Sequence, residues 1–172
     1  MKTLFSLLLL LGSLWSNPLK DLTSYQANFK QTIIDETGSR IIYRGTFFAK
    51  QPNYALWHYD SPVKKDVYIF NKDITIVEPE LEQVIYKKNM VTFTLFSVIK
   101  KAKQKDKNTY VHTIDDIEYK LLAQNKTLKK LTYLDTLGNQ VEIVFSKQYP
   151  NKSLKNAKFH AKYPSDFDII SE

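Results

Sequence analysis

The chain has 172 residues, 13% of them aromatic, and a formal net charge of +7. It contains no cysteine, which excludes a disulfide framework, a thiol catalyst and an N-terminal lipid anchor on cysteine. Arg40 and Arg44 are the only arginines among 25 basic residues, so arginine-based readout of nucleic acid has little to work with; the charge is either a lysine-rich solvated surface or a basic face that steers toward an acidic partner or an anionic membrane.

Met1-Lys2 followed by Leu4, Phe5 and Leu7 to Leu11 is a short positive region and an apolar run. It is too short for a bilayer span, which needs about 20 residues, and reads as a secretory leader over residues 1–16, cut after Ser16 or, as an alternative, after Ser13. Residues 17–172 then make one domain. Asn17-Pro18 reads as a cap and first position of a short helix running to about Ser24.

From Tyr25 the period changes to two, with Tyr25, Ala27, Phe29 and Ile33 on one face. Thr37-Gly38-Ser39 turns into a strand over 40–50. With the run carrying Ala55, Trp57 and Tyr59 it forms a hairpin about Gln51-Pro52-Asn53, and Ser61-Pro62 stops it. Gly45 within the first strand predicts a sharp bend or a close backbone approach. One face of these three strands brings Phe29, Tyr43, Phe47, Trp57 and Tyr59 together. Such a set is either the filling of a small barrel or the wall of an apolar pocket.

Strands are predicted at 66–70, 74–77 and 82–87, then at 109–114, 117–123, 128–135, 140–147 and 157–163. Between the two groups, residues 90–104 carry Met90, Phe93, Phe96 and other apolar side chains followed by lysines, a pattern that favours a helix. About ten or eleven strands with few helices predict a mainly β fold, curled into an incomplete antiparallel β-barrel.

Chemistry is sparse. Gly38, Gly45 and Gly138 are too scattered to cradle a phosphate. His58, His112 and His160 are isolated at ordinary strand positions, and the acidic clusters Glu78/Glu80/Glu82, Asp115/Asp116 and Asp166/Asp168 fall at turns or near the C-terminus. Neither a cofactor nor a metal is expected, and an enzyme acting on lipid or glycan would lack a convergent set of titratable groups.

The order SYQANFKQ (24–31), GTF with KQPNYALWHYDSP (45–62), PELEQV (79–84), DTLGNQ (135–140) and FHAKYPSDFDII (159–170) resembles the LolA family of periplasmic outer-membrane lipoprotein carriers. The resemblance implies an incomplete antiparallel barrel closed by a helical lid, with the 90–104 run as that lid. It implies a cavity for acyl chains lined by Phe29, Tyr43, Phe47, Trp57, Tyr59, Met90, Phe93, Phe96, Tyr133 and Phe145. It further implies a non-enzymatic, monomeric periplasmic carrier that takes acylated lipoproteins from an inner-membrane ABC release complex to an outer-membrane receptor. A lipoprotein-sensing module of the same fold is the alternative. Where the family carries a lid-latching Arg, this chain has Gln51 beside Lys50, so either is the expected latch, and the aromatic two residues before Trp57 is Ala55.

Overall fold

A computed structural model describes residues 19–88, 94–125 and 127–171. Twelve strands form one sheet: β1 (Ser24–Ile34), β2 (Arg40–Lys50), β3 (Tyr54–Ser61), β4 (Lys65–Phe70), β5 (Asp73–Glu78), β6 (Gln83–Lys87), β7 (Lys103–Gln104), β8 (Thr109–Ile114), β9 (Ile117–Gln124), β10 (Thr127–Leu134), β11 (Gln140–Pro150) and β12 (Asp168–Ser171). A single helix, α1, spans Leu95–Lys101 among the described residues. The spatial order is β12-β6-β5-β4-β3-β2-β1-β11-β10-β9-β8-β7. The sheet is open, with β12 and β7 at its edges, and β1 in the middle joins the N-terminal hairpins to β11.

Long meanders arise because the alternation is sustained. β1 has Tyr25, Ala27, Phe29 and Gln31 buried, and β2 has Phe47 and Ala49 buried, so the inner face is fixed in register. Gly45 lies where the β2–β3 register shifts; a Cβ there would sit 1.9 Å from the His58 carbonyl oxygen. Of the two alternatives expected for Gly45, the close backbone approach describes this position. Two matched hairpin turns flank β1 and β11 at the same end of the sheet. In each, one Asp Oδ1 accepts two backbone N–H groups: Asp35 from Thr37 and Ser39, Asp135 from Leu137 and Asn139, all at 2.9 Å. Gly38 and Gly138 take the positive φ that these turns require, 85° and 82°.

Several expectations are corrected. Residues 19–21 form a turn, not a helix, because Leu22 N–H closes onto the Leu19 carbonyl and Ser24 already pairs with Lys50 as strand. The helix expected over 90–104 is shorter. Thr94 caps it, its hydroxyl accepting from Ser97 N–H while Ser97 Oγ accepts from Thr94 N–H, and Ala102 is already extended so that Lys103 can pair with Val111. Residues 89–93 lie outside the described residues. No strand forms at 157–163. A 3-10 turn at Asn156–Phe159 inserts Phe159 against the outer face instead, and the following chain supplies the unforeseen β12. β12 lies parallel to β6, the one exception among the described residues to an antiparallel sheet.

The main core lies between the inner face and α1, whose Leu95, Phe96, Val98 and Ile99 are buried. A second, smaller cluster on the outer face unites Leu56 with Leu154 and Phe159. It fastens the C-terminal segment 151–167 across the outside of the early hairpins, where Lys50 Nζ donates to Leu154 O at 2.8 Å and Asn156 Oδ1 at 2.7 Å.

Candidate functional site

The aromatic residues expected to line a cavity converge on the inner face. Phe47 packs on Trp57 with ring centroids 4.2 Å apart, Phe29 meets Trp57 and Tyr59 edge-on at 5.1 Å, and Phe145 lies 6.0 Å from Phe47. Phe29, Phe47, Trp57, Phe96 and Phe145 are all buried. Among the described residues these rings pack on one another. Met90 and Phe93 lie outside the described residues.

Tyr43, Tyr59 and Tyr133 occupy the less enclosed end of the same face. Tyr59 Oη donates to Gln31 Oε1 at 3.1 Å, and Lys65 Nζ stands 5.0 Å from the Tyr59 ring and 5.3 Å from the Tyr43 ring, a cation over two aromatic faces. Burial raises the phenol pKa of Tyr59 and Tyr133, with neighbouring Tyr133 and Tyr43 adding to the first and Tyr119 and Asp135 to the second. For a phenol, a folded-state pKa raised above the usual value near 10 means that the fold excludes phenolate. That stabilisation is complete below about pH 10 and is lost as pH rises through the folded-state values. Urea midpoints are therefore expected to fall between about pH 10 and 11.5, and to fall less steeply in Tyr59→Phe/Tyr133→Phe; equal slopes would contradict the assignment.

A row that the aromatic content does not advertise crosses the early hairpins. Trp57 faces Val67, Val67 faces Ile76, Ile76 faces Ile85, and Ile85 faces Ile170, each directly opposite in register and so on one face of five consecutive strands. Val67 packs against the main core, whereas Ile76 and Ile85 are half-exposed and Ile170 is 39% exposed. The inner face thus continues from a closed aromatic core into an open apolar shelf. The shelf was missed because each strand offers it only one ordinary aliphatic; register alone reveals it.

Gln51 and Lys50, the expected latch, point to different places. Gln51 Nε2 donates to the Leu22 carbonyl at 2.7 Å, while Lys50 holds the C-terminal segment on the outer face. Gln51 also lines a 570 Å³ cleft that it shares with Leu22 and with Phe96 and Ile99 of α1. The larger groove, 930 Å³, is lined by Tyr133 and Val141 together with side chains of both charge signs, including Lys30, Arg40, Glu118 and Glu142. His58 contacts Asp66 at 2.5 Å and Asp60 at 3.3 Å.

An inner face of this kind, sheet on one side and a short capped helix on the other, fits the family to which the sequence points. Residues 20–122 match the family model of the outer membrane lipoprotein carrier protein LolA. The chain belongs to the LolA family. It is 31% identical over 162 residues to the outer-membrane lipoprotein carrier protein of Wolinella succinogenes, covering 94% of each chain, and 32% identical over 169 residues to that of Campylobacter jejuni, covering 98% of each. In structure it is similar to an uncharacterized conserved protein from Thermus thermophilus, with a TM-score of 0.58 at 11% identity over 91% of this chain and 96% of that one. The last likeness speaks for the fold alone.

Proposed function

We propose that this LolA-family protein is a periplasmic lipoprotein carrier: it shields acyl chains along the inner face, from the Phe47–Trp57 core out over the Val67–Ile76–Ile85–Ile170 shelf. The observation that carries this reading is a continuous apolar row that starts inside the core and ends half-exposed at the sheet edge. A carrier is physically necessary for such cargo, since each methylene moved into water costs about 0.8 kcal/mol and an acylated anchor has dozens. Residues 1–16 are the leader removed on export, and 17–172 the working domain. An inner-membrane ABC complex supplies the cargo and an outer-membrane receptor accepts it. The role is binding and handover, without chemistry on the cargo.

α1 acts as a movable lid. Its seven residues bury Leu95, Phe96, Val98 and Ile99 against the inner face while Lys100 and Lys101 are exposed, and the 570 Å³ cleft beside it offers room to shift. Gln51 reinforces the rim next to the lid by holding Leu22. The test is lipoprotein release from membranes carrying the release complex, with the purified protein as acceptor. A soluble lipoprotein–carrier complex is expected, reduced far more by Phe96→Glu than by Lys101→Glu. No soluble complex would overturn the carrier, and equal effects of the two changes would overturn the lid.

A further inference from the structure

Between Glu142 and Asp166 the chain contains Lys147, Lys152, Lys155, Lys158, Lys162 and His160, and no carboxylate at all. This segment is the one fastened across the outer face. There a groove of 610 Å³ is lined by Lys152, Lys155, Lys158 and Lys162, with Phe48 and Gln26 contributed by the sheet. All four lysines are exposed, and none has a carboxylate within ion-pair distance among the described residues. Lys158 Nζ lies instead over the Phe48 ring, 4.0 Å from its centroid.

The segment that carries these charges is firmly held. Leu154 and Phe159 are buried beneath it, Lys50 ties down the Leu154 carbonyl and Asn156, and Ser24 Oγ donates to the Lys152 carbonyl at 2.5 Å. Unpaired like charges on an anchored backbone repel one another and gain from a shared counter-charge, and their fixed spacing lowers the ordering cost of binding one. Four exposed lysines along one groove, with the Phe48 ring beneath Lys158, suit an extended chain bearing carboxylates.

We propose that this lysine groove docks an acidic, extended segment of a partner protein. It lies on the face opposite the apolar shelf, so a partner held there leaves the cargo face free. Docking and cargo binding can then occur together.

The probe is a fluorescein-labelled hexaglutamate peptide, with hexaglutamine as its neutral counterpart and phosphatidylglycerol vesicles as the membrane arm. Binding is read by anisotropy or co-sedimentation at low and high salt. Lys152→Gln/Lys155→Gln/Lys162→Gln is compared with Lys101→Gln/Lys103→Gln/Lys105→Gln, which removes the same charge elsewhere; all six positions are exposed, and thermal unfolding verifies both folds. Three exposed pairings of ordinary strength predict about a ten-fold loss of hexaglutamate affinity in the first variant and less than about two-fold in the second. Equal losses in the two variants would overturn the groove as a site. Vesicle binding that depends on these lysines, without hexaglutamate binding, would assign them to a membrane surface and overturn the protein partner.

Discussion

Gly45→Ala is expected to destabilise the fold by about 3 kcal/mol, lowering the melting temperature by roughly 6–12 °C. The added methyl would stand 1.9 Å from the His58 carbonyl oxygen and 2.9 Å from Phe29 Cε1. The first of these is backbone, held in the β2–β3 and β3–β4 ladders, and cannot turn aside as a side-chain tip would. Relief requires β2 and β3 to part where the register already shifts, which loosens Phe29 and Tyr59 behind them. Gly38→Ala is the comparison. Nothing lies within 4 Å of its added methyl, so only the strain of φ 85° acts, about 1–2 kcal/mol. Calorimetry of both variants checks the ordering; a Gly45→Ala variant as stable as Gly38→Ala would mean that the close approach is not structural.

The second large effect is on binding. Ile76→Glu is expected to weaken uptake of an acylated lipopeptide by about 100-fold while changing stability little, because a carboxylate laid along acyl chains loses water without gaining a partner. In the empty protein the half-exposed position lets the same carboxylate reach solvent. Thr75→Glu places identical charge on the opposite face of β5 and should leave uptake within about two-fold. Lipopeptide titration of the three proteins separates the outcomes, and comparable affinities for wild type and Ile76→Glu would remove the shelf from the site.

The inner face was legible wherever period-two alternation carried large rings, as in Phe29, Phe47, Trp57 and Tyr59, because burial on one side leaves a strand little freedom of register. What could not be read were features made by pairing at a distance. Asp168–Ser171 is four residues long and finds β6, far earlier in the chain, in parallel, so no local pattern marks it. Ala157, Phe159, Ala161 and Tyr163 imitate a strand, yet Phe159 is buried through a 3-10 turn. Gln51 illustrates a third limit. Its side chain near the lid was foreseeable, but its acceptor, the Leu22 carbonyl, depends on the N-terminal segment forming a turn in place of a helix.

The most direct test of the central claim is site-specific photocrosslinking during lipoprotein release. A benzophenone side chain is placed at Ile85, on the shelf, and separately at Ile169, which is 61% exposed and lies on the other face of the neighbouring edge strand. An acyl-bearing lipoprotein should crosslink at Ile85 and not at Ile169. Crosslinking at Ile169 alone, or equally at both, would contradict an inner-face carrier site.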